Sequence, residues 1–183
     1  KRSESHFKNG IREGLTKLWF ESGEKLGQVN FKNDKQEGLT TEWYKSGKKR
    51  SESHFKNGIR EGLEILWFNN GVMESKVFYE NGAGLVTEWY ESGEKEREIQ
   101  YKNGKREGLS TSWYKSGEKW SEIHHKNGKR DGRWTVWYQD GKKKLENYYK
   151  DGKWIERTDY YPNGIKKTTR QSKEGRGPRE GIK

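Results

Sequence analysis

Trp113-Tyr114-Lys115-Ser116-Gly117 returns along the chain as Trp-Phe-Glu-Ser-Gly from Trp19, Trp-Tyr-Lys-Ser-Gly from Trp43, Trp-Phe-Asn-Asn-Gly from Trp67, Trp-Tyr-Glu-Ser-Gly from Trp89 and Trp-Tyr-Gln-Asp-Gly from Trp137, with a degenerate Tyr-Tyr-Pro-Asn-Gly from Tyr160. An aromatic pair followed by a Gly turn reads as the end of one strand and the tip of a hairpin, because Gly supplies the positive φ of a tight turn. The turn glycines Gly23, Gly47, Gly71, Gly93, Gly117, Gly141 and Gly164 are separated by 24, 24, 22, 24, 24 and 23 residues. A period near 24 is the signature of a repeat array.

Two further markers keep the same phase. One is the Asn-Gly type of connection, as in Phe55-Lys56-Asn57-Gly58 and Tyr101-Lys102-Asn103-Gly104, with a match at Gly82. The other is a Gly after an acid, at Gly14, Gly38, Gly62, Gly108 and Gly132; Gly84 matches it after a two-residue deletion. Residues 2–15 and 50–63 read identically, which points to duplication of a two-repeat block.

Each unit thus contains two strands of six to eight residues, one short turn and one Asn-Gly connection. Alternation puts Leu109, Thr111 and Trp113 on one face of the first strand and Ile123 and His125 together on the second. The expected fold is all-β: an elongated, single-layer antiparallel β-meander or solenoid of about seven two-stranded repeats over 1–167, one face apolar and one wet. The expected structural core is Trp19, Trp43, Trp67, Trp89, Trp113 and Trp137 with Phe31, Phe55 and Tyr101. Gly38, Gly62, Gly108 and Gly132 are expected beneath a ring of an adjoining strand.

Composition agrees with a thin core. Of 183 residues 27% are hydrophobic and 37% charged, a balance that would favour disorder without the periodic nine Trp, ten Tyr and six Phe. A single unit has too little apolar area to fold alone, so the units must stack. No Cys is present, which excludes disulfides and thiolate chemistry. No apolar run approaches the ~20 residues of a membrane-spanning helix. Net charge is +11, and residues 165–183 contribute seven Lys or Arg against two Glu. Residues 168–183 are therefore expected to be a basic, flexible tail. The start at Lys1, inside a repeat, is expected of an excerpt or a processed form. Compartment stays open, with a bacterial cytoplasm slightly preferred.

The unit from Tyr101 to Lys119, with its Asn-Gly, acid-Gly and Trp-Tyr-x-x-Gly positions, resembles the variant form of the MORN repeat (membrane occupation and recognition nexus). That form occurs in bacterial proteins labelled as antitoxins of toxin–antitoxin pairs. The resemblance covers about residues 1–167. It implies a sheet of hairpins used for binding or scaffolding, without catalytic residues, and an antitoxin-like role.

The residues themselves suggest no chemistry. His6 and His54 recur two units apart and His124 and His125 alternate between faces, so no metal site is expected. Glu4, Glu52, Glu98, Glu122 and Glu146 form a column assigned to the wet face, paired with cations on adjacent strands. Lys32, Lys56, Lys102, Lys126 and Lys150 recur before the Asn-Gly type of turn, a ladder that would meet an anionic surface. The expectation is a non-enzymatic, cofactor-free scaffold that binds another protein, with self-association through open sheet edges as a further possibility. Peripheral binding to anionic lipid is the alternative, and nucleic acid or cell-wall carbohydrate a lesser one. No small-molecule substrate is expected.

Overall fold

The computed structural model describes residues 2–80 and 83–172. Gly82 and the tail residues from Lys173 onward lie outside the described residues. The chain divides into two units, Lys1–Gly93 and Glu94–Lys183. The first holds β1 (Ser3–Glu4), β2 (Phe7–Lys8), β3 (Ile11–Arg12), β4 (Gly14–Trp19), β5 (Lys25–Lys32), β6 (Lys35–Gln36), β7 (Gly38–Trp43), β8 (Lys49–Lys56), β9 (Ile59–Trp67), β10 (Met73–Tyr79) and β11 (Gly84–Trp89). The second holds β12 (Lys95–Lys102), β13 (Lys105–Trp113), β14 (Lys119–Lys126), β15 (Lys129–Trp137), β16 (Lys143–Lys150), β17 (Lys153–Tyr160) and β18 (Lys166–Gln171).

No helix occurs among the described residues, and each unit is an open antiparallel sheet in which chain neighbours pair. The order is β1-β4-β5-β7-β8-β9-β10-β11 in the first unit, with β6 beside β5 and a separate β2-β3 pair. In the second it runs β12 through β18 without a crossover. The all-β repeat meander read from the periodicity is thus what the chain forms. Pairing of β18 with β17 extends to Gln171, past the residue 168 at which a tail was expected.

Two turn types alternate. At the Trp-Tyr-x-x-Gly tips, the N–H of Gly47 donates to the Tyr44 carbonyl at 2.9 Å and the N–H of Tyr44 to that of Lys48 at 2.9 Å. This is a three-residue loop whose last position, Gly47 at φ 82°, takes the left-handed conformation. At the other described connections both central residues have positive φ, as at Asn57 (51°) and Gly58 (82°), which makes a two-residue type I′ turn. Its hand matches the strand twist, so Asn-Gly holds the hairpin in register.

The register overturns the picture of one apolar and one wet face. Ser110 pairs with Ile123 and Thr111 with Glu122, so Trp113 shares its face with Glu122 while Ile123 and His125 lie opposite. The Trp column and the Phe31, Phe55, Tyr101 column therefore occupy opposite faces, and all nine of these residues are only half-buried. A single sheet has no second layer to cover either set. Burial is instead greatest at mid-strand, where small side chains are flanked on every side: Thr41, Thr87, Thr111, Thr135 and Thr158 on the Trp face, and Thr16, Val29, Ser53, Ile99 and Ser110 on the other. Thr suits these positions because it is β-branched and short enough for its larger neighbours to close over it.

Candidate functional site

On the Trp face the repeats build a ladder. A register shift between Glu42 and Trp43 sets Lys49 opposite Trp43, so this Lys joins the Trp side of the sheet. The same shift brings Lys25 to Trp19, Lys119 to Trp113 and Lys143 to Trp137. Each Lys also reaches a ring of the next repeat where that contact forms: Lys25 Nζ lies 4.1 Å from the Trp43 ring centroid, Lys49 5.8 Å from Trp67 and Lys95 5.0 Å from Trp113. The result is an alternation of Trp and Lys, held by cation–π attraction and by packing of the Lys stems.

The Glu column completes this ladder rather than lining a wet face. Lys49 donates to Glu52 at 2.6 Å, Lys95 to Glu98 at 2.7 Å, Lys119 to Glu122 at 2.5 Å and Lys143 to Glu146 at 2.8 Å. In each of these pairs the partner is three residues earlier on the same strand; Glu146 also meets a cation of an adjacent strand, as expected of the column. Glu146 gains Tyr160 Oη as a donor at 2.5 Å and Arg133 at 3.7 Å. Burial acts to raise the Glu146 pKa, but the hydrogen bonds of Lys143 and Tyr160 and the charges of Lys143 and Arg133 outweigh it and leave it lowered. Tyr160 is pushed up to about 12, by the Glu146 hydrogen bond first and burial second. Residues 25, 49, 95, 119 and 143 each stand two positions after a turn Gly, a phase from which this Lys column was legible.

The acid-Gly positions have a role that the sequence reading missed. The acid reaches the next repeat and accepts the first N–H of its type I′ turn: Glu13 from Asn33 at 2.9 Å, Glu37 from Asn57 at 2.8 Å, Glu107 from Asn127 at 2.6 Å and Asp131 from Asp151 at 3.0 Å. The second turn N–H donates to a main-chain carbonyl of the preceding repeat, as Gly58 to Gln36 at 2.9 Å. The turns at 33–34, 57–58, 127–128 and 151–152 are therefore each clamped to the preceding repeat. Gly38, Gly62 and Gly108 do not make room for a ring: a Cβ at Gly38 or Gly62 would meet nothing within 4 Å, and at Gly108 its neighbour would be Gln100; at Gly132 alone of the four a Cβ would meet a ring-bearing side chain, His124 of the adjoining strand. Their φ angles of 76° to 106° are the reason for Gly, since a side chain strains that conformation.

Of the Lys ladder, Lys32, Lys56, Lys102, Lys126 and Lys150 are all exposed at turn bases. Lys56 pairs with Glu61 at 3.7 Å and Lys150 with Asp131 at 3.2 Å. The register adds cations that the column missed. Lys32 faces Lys35, Lys102 faces Lys105, Lys126 faces Lys129 and Lys150 faces Lys153. Like charges directly across a ladder repel, a cost that the fold accepts at successive turns.

The remaining titratable groups serve the fold. His6 and His54 bond through Nδ1 to the carbonyls of Leu15 at 2.7 Å and Leu63 at 3.3 Å. His125 is buried, and burial first, then the charges of Arg106, Arg130 and His124, lower its pKa. Glu64 is buried among Ser53 at 2.9 Å, Arg60 at 3.0 Å and Tyr79 at 2.8 Å. No group of three metal-ligating side chains occurs among the described residues. In the first unit a cleft of about 500 Å³, lined by Gly38, His54, Phe55, Gly62 and Leu63 among others, opens beside the acid-Gly bulges.

No curated protein matches this chain. Six segments, residues 12–33, 36–57, 60–81, 84–103, 106–127 and 130–151, match the MORN repeat variant, each beginning at or near the acid-Gly position or its match at Gly84 and closing at an Asn-Gly type of connection in the sequence. These segments span well over half of the sequence, and the clamped hairpin described above is the unit that they repeat, so the chain belongs to the MORN repeat variant family.

Proposed function

We propose that the chain is a non-enzymatic repeat scaffold that binds another protein along a sheet face. One observation carries this reading: among the large apolar side chains left exposed, several stand at strand positions where the repeats differ. Phe78, Tyr148 and Ile155 are 41% to 48% exposed, each at a strand position held by different residues in most other repeats. Exposed apolar groups on an otherwise charged surface favour a protein partner. The antitoxin-like reading, a cognate toxin as that partner, belongs to the same proposal. Co-purification of the chain with the product of an adjacent gene, weakened by Phe78→Lys, is the expected result. Measurable turnover of a substrate would sink the reading.

The paired Lys at the type I′ turns support a second reading, attachment to anionic lipid. Co-sedimentation with phosphatidylserine vesicles, falling steeply with salt, is then expected, and absence of binding at low salt ends it.

A further inference from the structure

Arg60 shows how this fold seats an anion. Its guanidinium lies 3.0 Å from the buried carboxylate of Glu64, which also accepts from the Ser53 hydroxyl at 2.9 Å and from the Tyr79 hydroxyl at 2.8 Å. In the second unit the same three positions of the repeat are Arg106, Ser110 and His125. The acceptor is lost there, and a hydroxyl stands in its place. All three side chains share the face opposite the Trp column, since Tyr101 pairs with Arg106 and Ile99 with Ser110, while Ser110 pairs with Ile123, on whose face His125 alternates.

The fold supplies no acid to this corner. Every Arg among the described residues stands within 4.0 Å of a carboxylate oxygen except Arg106 and Arg130. Arg106 is exposed. Arg130 pairs directly across from His125, and its guanidinium donates to the Tyr149 hydroxyl at 3.3 Å. The acids next to these two in sequence, Glu107 and Asp131, are turned to the N–H groups of Asn127 and Asp151. His125 is buried, and its Nδ1 has no hydrogen-bond partner. A guanidinium, a hydroxyl and an imidazole thus stand together as donors without an acceptor, an arrangement that a folded chain seldom leaves unanswered.

We propose that Arg106, Ser110 and His125 bind a phosphate group in the place that the Glu64 carboxylate fills beside Arg60, with Arg130 adding positive charge from the next strand. Phosphate suits the site because its several terminal oxygens accept from all three donors at once, with the charge-assisted bond of the guanidinium the strongest of them. The exposed guanidinium puts the site at the surface, within reach of a soluble phosphate monoester or of a lipid headgroup. It uses neither the Lys turns nor the exposed apolar side chains that carry the two readings above, so its failure leaves each of those to its own test.

Titration of the full chain with inorganic phosphate at about 0.05 M NaCl, followed by proton NMR of the His rings, tests it. The expected result is a saturable shift of the His125 resonance at one phosphate per chain, with His6 and His54 unmoved. Arg106→Gln is expected to weaken binding roughly tenfold. Ser110→Glu is expected to abolish it by supplying the internal carboxylate that Glu64 gives Arg60, and circular dichroism verifies that both variants fold. Lys126→Gln with Lys129→Gln is expected to bind like the parent. Vesicles of phosphatidic acid in phosphatidylcholine that retain the parent but not Arg106→Gln assign the site to a headgroup, and saturation by inorganic phosphate without such retention assigns it to a soluble ester. Absence of a saturable shift overturns the proposal. So does binding by Arg106→Gln at the parent's strength, equal loss in the Lys126→Gln, Lys129→Gln variant, or acetate that saturates the site as tightly as phosphate.

Discussion

Glu37 and Asn57 stand 20 residues apart in sequence and one hydrogen bond apart in space, the Glu37 carboxylate accepting the Asn57 N–H at 2.8 Å. The same bond recurs from Glu107 to Asn127 at 2.6 Å, and from Glu13 and Asp131, so the acid before the Gly ties one hairpin to the next at four places. A carboxylate that accepts a main-chain N–H is worth more than a neutral acceptor. Glu107→Ala is expected to cost about 1–2 kcal/mol in urea unfolding, and Glu107→Gln about half as much. A neutral Glu107→Ala would show that the turn N–H finds water at no penalty.

Trp113 is half-buried under Lys95, whose ammonium lies 5.0 Å from its ring centroid. Trp113→Ala is expected to destabilise by about 2–3 kcal/mol, less than truncation of a fully buried ring because part of the surface is already wet. Lys95→Met keeps the stem over the ring and is expected to cost under ~1 kcal/mol. Thermal unfolding of both variants separates packing from charge. Equal losses would make the ammonium the greater part of the contact.

His125 takes the place that Tyr101 and Tyr149 hold in neighbouring repeats, and its buried Nδ1 has no hydrogen-bond partner. With its pKa lowered by burial and by Arg106 and Arg130, the folded state binds this proton less readily than the unfolded chain. Stability therefore falls as pH drops below the ordinary His range near ~6.5 and through the lowered value. His125→Tyr is expected to raise the melting temperature at pH ~5 more than at pH ~8. An equal gain at both values would assign the effect to ring size alone.

The Tyr160 hydroxyl donates to Glu146 at 2.5 Å and titrates at about 12. An unfolded Tyr ionises near ~10, so between that value and about 12 the folded state holds a proton that the unfolded chain has released. The contribution is intact below ~10 and is lost as pH rises through the folded value. Glu146, with its pKa lowered, contributes in the other direction, its share being lost as pH falls through that lowered value. Tyr160→Phe is expected to flatten the alkaline limb of the stability profile. An alkaline limb identical to that of the parent would show that other groups dominate there.

Repeat length, hairpin order and both turn types were legible in the sequence, because Gly at positive φ, Asn-Gly and strand alternation are local signals that each repeat restates. Gly47 and Asn57 needed only their neighbours to be read. What the tertiary structure decided is which face each column occupies and what it touches. The two strands of a hairpin each showed an apolar alternation, yet only the register, Ser110 on Ile123 and Thr111 on Glu122, reveals that the two sets point to opposite sides. The bulge beside Trp43 moves Lys49 onto the Trp face, and a one-residue shift of that kind leaves no mark in composition. The Glu37–Asn57 clamp was hidden for a related reason: it joins residues of different repeats, and a period states that they recur without stating that they meet.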